Sequence, residues 1–276
     1  MHIDSFFATS NSSVSDADYI IFGIPYDATQ SFKPGSRFAP TAIREASWNL
    51  ESYSLYFDYN LDFARIADGG NINCDGSFEE VSERVSKFME DVVGIPVVLG
   101  GEHSVSYMVA RNLEDFTYLV FDAHFDLREG FDSNPYNHAC TSRRILEVAD
   151  EVIIAGVRSG TKEEREFAEN SGIEVYYSWD LLEYGFDDLL DSIESKDRIY
   201  LSVDLDAFDP AFAPGVSTPE PFGLHPYDLV KVLDEIADRV IAFDVVEVVP
   251  DLNKVTQTLA AKFVNEFIAA NASLNF

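Results

Sequence analysis

Eight short apolar runs punctuate the chain, at residues 19–24, 64–67, 95–99, 118–121, 152–155, 173–177, 199–203 and 240–246. Runs this short, apolar at consecutive rather than alternate positions, predict strands buried on both faces of a parallel sheet. Segments with helical spacing lie between many of them. In residues 78–92, Val81, Val85, Phe88, Met89 and Val92 fall on one face of a helix. Residues 40–50 open with Pro40, which suits a first helical turn. Residues 181–193, 226–237 and 258–270 predict further helices. Strand–helix alternation implies an α/β fold in three layers, a parallel sheet of about eight strands with helices on both faces. No linker-like stretch separates the runs, so one domain over residues 1–276 is expected, with Ser/Asn-rich residues 1–15 as a loose lead-in.

The chemistry of the chain sits where these runs end. Tyr118-Leu-Val-Phe121 leads into Asp122-Ala-His124-Phe-Asp126, and Ile199-Tyr-Leu-Ser-Val203 into Asp204-Leu-Asp206. Ligands of open α/β sheets collect at the carboxyl ends of strands. Residues two apart at a strand end point the same way. Asp122, His124 and Asp126 can therefore converge, and so can Asp204 and Asp206. A third run, Ile95-Pro-Val-Val-Leu99, is followed by Gly100-Gly101-Glu102-His103-Ser104, where the glycines allow a sharp turn and His103 emerges at the strand end. Four carboxylates and two imidazoles crowded together repel and desolvate one another unless a cation joins them. A donor set rich in oxygen with a little nitrogen suits Mn²⁺ or Mg²⁺ better than zinc. Two divalent ions would neutralise the four carboxylates, which suggests a binuclear site with one or two bridging Asp.

Composition narrows the alternatives. The formal net charge is -30, so nucleic acid and anionic membranes are disfavoured partners and a small cation is a welcome one. No apolar run approaches the length of a membrane span. No basic segment with an apolar core opens the chain, so a cytoplasmic protein is expected. Cys74 and Cys140 are too few for a disulfide framework, and Cys140 reads as a small buried residue. Walker, G-x-G-x-x-G and G-x-S-x-G motifs are absent.

The three strand-end clusters, in this order, resemble the signature motifs of the arginase/agmatinase (ureohydrolase) superfamily, and most closely its agmatinase branch. Gly23-Ile-Pro-Tyr-Asp27, Pro34-Gly-Ser-Arg-Phe-Ala-Pro40, Ala42-Ile-Arg44, Pro219-Glu-Pro221 and Asp244-Val-Val-Glu247 extend the likeness over nearly the whole chain. The resemblance implies two Mn²⁺ ions per chain, with His103 on one and His124 on the other. It implies Asp122 and Asp204 as bridges, Asp126 beside His103 and Asp206 beside His124. It further implies Glu247 as the carboxylate that orients a guanidinium and His138 as the proton donor to the leaving amine. Asp126 would accept a proton at the tetrahedral stage, and Asp244 would hydrogen-bond near Glu247. The expected reaction is release of urea from agmatine by a homotrimer or homohexamer. Arginase, guanidinobutyrase, guanidinopropionase and formimidoylglutamase activities share these motifs, and a catalytically silent binding or assembly paralogue is the reading from another class. Intact residues at all these positions argue against the last.

The likeness has gaps. Val216, Ser217 and Phe222 stand where agmatinases often carry Thr, Gly and Gly, and Asp68-Gly-Gly-Asn-Ile72 departs from D-x-G-D-I. These changes bear on substrate preference. The loop Arg128–His138 carries Glu129 and Asp132, which are expected to face the substrate's tail and repel a carboxylate there. Arg128 and Asp209 read as structural, and His2 and His225 as uninvolved.

Overall fold

The structure is a computed structural model that describes residues 6–274. In chain order its elements are β1 (Tyr19–Ile24), α1 (Ala39–Ser47), β2 (Tyr53–Ser54), β3 (Tyr59–Asn60), β4 (Ile66–Asn71), α2 (Phe78–Met89), β5 (Ile95–Gly100), α3 (Ser104–Ala110), β6 (Thr117–Phe121), α4 (Thr141–Ile145), β7 (Glu151–Val157), α5 (Lys162–Ser171), β8 (Glu174–Tyr177), α6 (Ser178–Tyr184), α7 (Asp187–Ile193), β9 (Ile199–Asp204), α8 (Pro226–Ile236), β10 (Val240–Val246) and α9 (Val255–Leu274). Eight strands form one sheet in the order β4-β1-β5-β10-β9-β6-β7-β8, and every pairing in it is parallel. Strands β2 and β3 make a separate antiparallel hairpin.

Successive residues of the central strands feed two separate cores, as the pleat requires. Leu119 and Phe121 join Ile43, Leu229, Val232, Val264 and Phe267 beneath α1, α8 and α9. Tyr118 and Val120 join Val81, Val85, Val105, Met108 and Ile145 beneath α2, α3 and α4. Both faces of the sheet are thus covered, which is why the strands read as unbroken apolar runs. Among the described residues no helix is long and apolar enough to cross a membrane.

The expected elements were displaced where the local signal was weak. The run at 64–67 belongs to β4, Ile66–Asn71, whose later residues are Asp68-Gly-Gly-Asn71. Strand β4 is an edge paired only with β1, so polar residues are tolerated there. The helix expected at 181–193 is two helices, broken at Gly185 with φ +90°. Helices α3, α4 and α5 had no clear periodic signal. All of α3 is buried, and only Glu164 and Ala168 of α5 are. The start of α5 was nonetheless written in the sequence as a capping box, Thr161 with Glu164.

The described part of the expected loose lead-in, residues 6–15, is anchored. The Phe7 side chain is buried and its amide donates to Asp68 Oδ2 at 2.7 Å. The Asn11 amide donates to the Ile66 carbonyl at 2.8 Å. Asp68 also takes a two-pronged ion pair from the buried Arg44. His2 lies outside the described residues.

Candidate active site

Four neighbouring strands in the middle of the sheet, β5, β10, β9 and β6, end at one place. Just beyond their carboxyl ends stand His103, Glu247, Asp204 with Asp206, and Asp122 with His124 and Asp126. The backbone there is tightly constrained. A Cβ on Gly101 would lie 2.0 Å from the Tyr26 carbonyl oxygen, so glycine is needed for close approach. Neither Gly100 nor Gly101 has a positive φ, so the sharp turn expected of them is not their role. Asp126 and Glu247 do adopt left-handed backbone, with φ +52° and +63°.

His103 Nδ1 lies 3.0 Å from Asp122 Oδ2, 3.0 Å from Asp126 Oδ2 and 3.4 Å from Asp204 Oδ2. His124 Nδ1 lies 3.1 Å from Asp206 Oδ2 and 3.5 Å from Asp122 Oδ1. Two three-residue donor groups result, His103–Asp122–Asp204 and Asp122–His124–Asp206, each with donor atoms within 4.8 Å of one another. Asp122 belongs to both, with one oxygen toward each imidazole. His103 Nδ1 and Asp122 Oδ2 are fully buried, and neither has a hydrogen-bond partner. They are close but aimed past each other, as donors are when they face a shared cation.

The electrostatics lead to the same place. Burial pushes Asp126 up to about 6, helped by the Asp122 charge, and pushes Asp204 well above the carboxylate range with help from Asp206 and Asp122. Burial alone would lower both imidazoles. Tyr118, Asp122 and Asp126 outweigh it and hold His103 high, and Asp206 and Asp122 do the same for His124. Asp122, contacted by both imidazoles, is instead held below its ordinary value against the opposing effect of burial. A metal-free cluster therefore binds protons where a divalent ion would otherwise supply the positive charge. Its oxygen-rich donor set fits hard divalent cations.

The other nitrogen of His103, Nε2, lies 3.1 Å from Tyr118 Oη and 3.4 Å from Ser202 Oγ. Ser202 Oγ donates in turn to Asp244 Oδ1 at 2.6 Å. Asp244 also accepts from Ser106 Oγ at 2.6 Å and from the Tyr200 hydroxyl. This corrects the expectation that Asp244 hydrogen-bonds near Glu247. Adjacent β10 residues alternate between faces, so Asp244 points to the back of His103 while Glu247, after the strand end, turns toward the cavity.

Glu247 is held by both oxygens. The His103 amide donates to Oε1 at 2.7 Å, and Gln30 Nε2 donates to Oε2 at 2.7 Å. His138 Nδ1 stands 3.7 Å from Glu247 Oε1, and His138 Nε2 lies 3.0 Å from Ser31 Oγ. Glu247, His138, Asp126, Asp204 and Asp206 line one cavity of about 270 Å³, together with Thr218. Thr218 Oγ1 donates to Asp206 Oδ2 at 3.1 Å. Arg158 binds the Asp206, Ala207 and Glu220 carbonyls and so pins the backbone that carries Asp206.

Glu129 and Asp132 are exposed and do not line this cavity, contrary to expectation. Phe131 and Asn134 exchange backbone hydrogen bonds across a two-residue turn in which Asp132 and Ser133 have φ +50° and +61°. A turn of that hand puts Asp132 at a tip facing solvent. Arg128 and Glu164 line the wall instead, with Arg128 Nε 3.7 Å from Glu164 Oε2. Val216, Ser217 and Phe222 also lie off the cavity lining, where only their neighbour Thr218 appears. Phe222 is exposed with φ +68°, a backbone that glycine would adopt without strain. Asp209 receives the amides of Ala211, Phe222 and Gly223, and His225 caps α8. Burial pushes the Cys140 thiol up to about 11, which leaves it unreactive.

Sequence reasoning passed over Thr29, Gln30, Ser31, Glu102, Tyr118 and Ser202. The first three lie on the loop after β1, where no motif drew attention to them. Glu102 was in plain view beside His103.

A parallel α/β sheet with a buried His/Asp cluster at its carboxyl edge defines the class, and comparison with known proteins specifies it. The Arginase family matches residues 17–270, and the chain belongs to that family. It is a hydrolase of the agmatinase-like branch. The agmatinase of Pyrococcus horikoshii is 42% identical over 268 residues, 94% of each chain. The N(1)-aminopropylagmatine ureohydrolase of Thermococcus kodakarensis is 41% identical over 93% of this chain and 91% of its own. The crystal structure of the agmatine ureohydrolase of Thermoplasma volcanium superposes with a TM-score of 0.92 at 37% identity, covering 98% of this chain and 95% of that one.

Proposed function

We propose that this chain hydrolyses agmatine to urea and putrescine with two Mn²⁺ ions. His103, Asp122, Asp126 and Asp204 would hold one ion and Asp122, His124, Asp204 and Asp206 the other. The observation that carries the reading is the single cavity that Glu247 and His138 share with the carboxylate cluster. When bound, the ions supply Lewis acidity that makes water a competent nucleophile at neutral pH.

The chain's own residues do the rest. The substrate guanidinium is cationic and resonance-stabilised, so it must be oriented before it reacts. Glu247, fixed at both oxygens, accepts its N–H groups and holds its carbon over the cluster. Water adds to that carbon, and Asp126 takes up the proton the water gives up. The C–N bond to the alkyl amine then breaks. His138, beside Glu247, delivers the proton that lets the amine leave as putrescine. The adduct's hydroxyl releases its own proton to solvent as the urea C=O forms, and the proton on Asp126 passes back to His138. The acidic surface attracts the substrate's terminal ammonium, weakly at physiological salt.

Urea release from agmatine, arginine, guanidinobutyrate and N(1)-aminopropylagmatine by purified Mn²⁺-loaded protein tests the assignment. Agmatine leading supports it. A panel with no urea from any compound favours the catalytically silent alternative. Family resemblance is also the ground for proposing a homotrimer or homohexamer, which sedimentation velocity would resolve.

A further inference from the structure

Glu102 is the one acid in the Gly100–Ser104 segment, and the mechanism above does not use it. Its side chain is fully buried and is paired with no cation among the described residues. It is saturated with donors instead. The Thr29 amide donates to Oε2 at 2.7 Å, the Thr29 hydroxyl to Oε1 at 2.7 Å, and the Ser104 hydroxyl to Oε1 at 2.6 Å. The Glu102 amide donates to the Tyr26 carbonyl at 2.8 Å, so main chain and side chain both grip the loop after β1.

That grip reaches the reacting groups. Because the Thr29 hydroxyl spends its hydrogen on Glu102, its lone pair is free for the His138 amide, which donates to it at 2.9 Å. Asn137 Nδ2 donates to the Thr29 carbonyl at 3.2 Å. The next two residues touch the same pair from the other side. Gln30 holds Glu247, and Ser31 meets the His138 ring. A buried carboxylate thus anchors Thr29, the first of three consecutive residues that are each bonded to His138 or Glu247. Glu102 is also joined covalently to His103, whose amide holds the second oxygen of Glu247.

We infer that Glu102 is a positioning residue which, through Thr29, sets the distance between His138 and Glu247. The inference rests on the hydrolase reading for its kinetic consequence but not for its structural one.

The test pairs Thr29→Val with Thr29→Ser in the full-length, Mn²⁺-loaded protein, with Glu102→Gln alongside. Valine keeps the volume and removes both the donor to Glu102 and the acceptor for His138. Serine keeps both. In Glu102→Gln the amide oxygen can keep the Thr29 amide, but the NH2 then faces the Thr29 and Ser104 hydroxyls, which must accept where they donated. Three readouts are taken: metal content, the pH profile of kcat, and amide hydrogen exchange of the peptides spanning 25–35 and 127–140. Thr29→Val is expected to keep its metal, lose at least tenfold in kcat with KM less affected, change the alkaline limb of the profile, and exchange faster in both peptides. Thr29→Ser is expected to recover most of each. The inference is overturned if Thr29→Val turns over and exchanges like the parent. It is equally overturned if activity falls only in proportion to lost metal. Exchange needs no substrate, so a protein that releases no urea from any compound would sink the functional reading and leave this one decided by its exchange pattern.

Discussion

The backbone amide of His103 lies 2.7 Å from Glu247 Oε1. One residue therefore offers its ring to the carboxylate cluster and its main chain to the carboxylate across the cavity. The two functions separate under mutation. His103→Asn retains the amide and should bind about one metal fewer per chain. Glu247→Gln should keep full metal content and still lose activity. Metal analysis beside a urea assay distinguishes them, and a Glu247→Gln protein with parental turnover would remove that residue from the mechanism.

Asp122 is shared between the two donor groups, so Asp122→Ala should strip both ions while Asp206→Ala strips one. Chelation should abolish activity, with Mn²⁺ restoring it best. A chain fully active with a single zinc ion would end the binuclear reading.

His138→Asn removes the proposed proton donor without touching the cluster. We expect both ions retained and kcat lowered by about 10²–10⁴-fold, the usual range for a general acid. Parental turnover in this variant would return His138 to a structural role.

Asp244→Asn tests the support behind His103. Residues that orient a metal-bound imidazole commonly contribute about 10–100-fold to metal affinity. Competition against a fluorescent chelator should show a loss of that size, and unchanged affinity would mean that Ser202 and Tyr118 suffice.

The metal-free chain should lose stability as pH rises. Asp126 is raised from 3.8 to about 6, and Asp204, His103 and His124 are raised as well. Groups raised on folding bind protons more tightly in the native state. Their contribution is full below their unfolded pKa values and lost as pH climbs through the folded ones. The lowered Asp122 acts oppositely, but only at pH below its ordinary 3.8. The thermal midpoint of stripped protein should therefore fall between about pH 4 and pH 7, and Mn²⁺ at pH 7 should raise it again. A midpoint that climbs over this window without metal would contradict the frustrated cluster.

Substrate choice follows from charge. Agmatine should exceed arginine by at least about tenfold in kcat/KM, on the order of 1.4 kcal/mol. The two acids first expected to enforce this, Glu129 and Asp132, face solvent, so neutralising them should leave the ratio unchanged. Arginine matching agmatine under identical Mn²⁺ loading would refute the ranking.

What the sequence made legible was whatever repeats a local rule. Buried parallel strands show as apolar runs because both faces are covered, and residues such as Asp204 and Asp206 at a strand end project together by pleat geometry. The sheet order is non-local, and nothing in residues 199–203 says that β9 lies beside β6 and β10. The loop at Thr29–Ser31 escaped for the same reason. Its importance comes from Glu102, seventy-three residues away, and not from any pattern of its own. Edge strands such as β4 blurred because their polar residues obey no inside–outside rule.

The left-handed backbone at Asp126 and Glu247 has a consequence for how this chain could be improved. A side chain in that region carries a penalty of about 1–2 kcal/mol that glycine avoids and that Asn and Asp partly escape, so the strain is greater at Glu247 than at Asp126. At both positions the substitution that relaxes the main chain also deletes the carboxylate. At 247 glycine would also leave the His103 amide and Gln30 without their acceptor, which offsets the backbone gain. At 126 a screen rewarding heat resistance alone would accept glycine and discard the proposed proton acceptor, so any such screen must select for turnover in the same round.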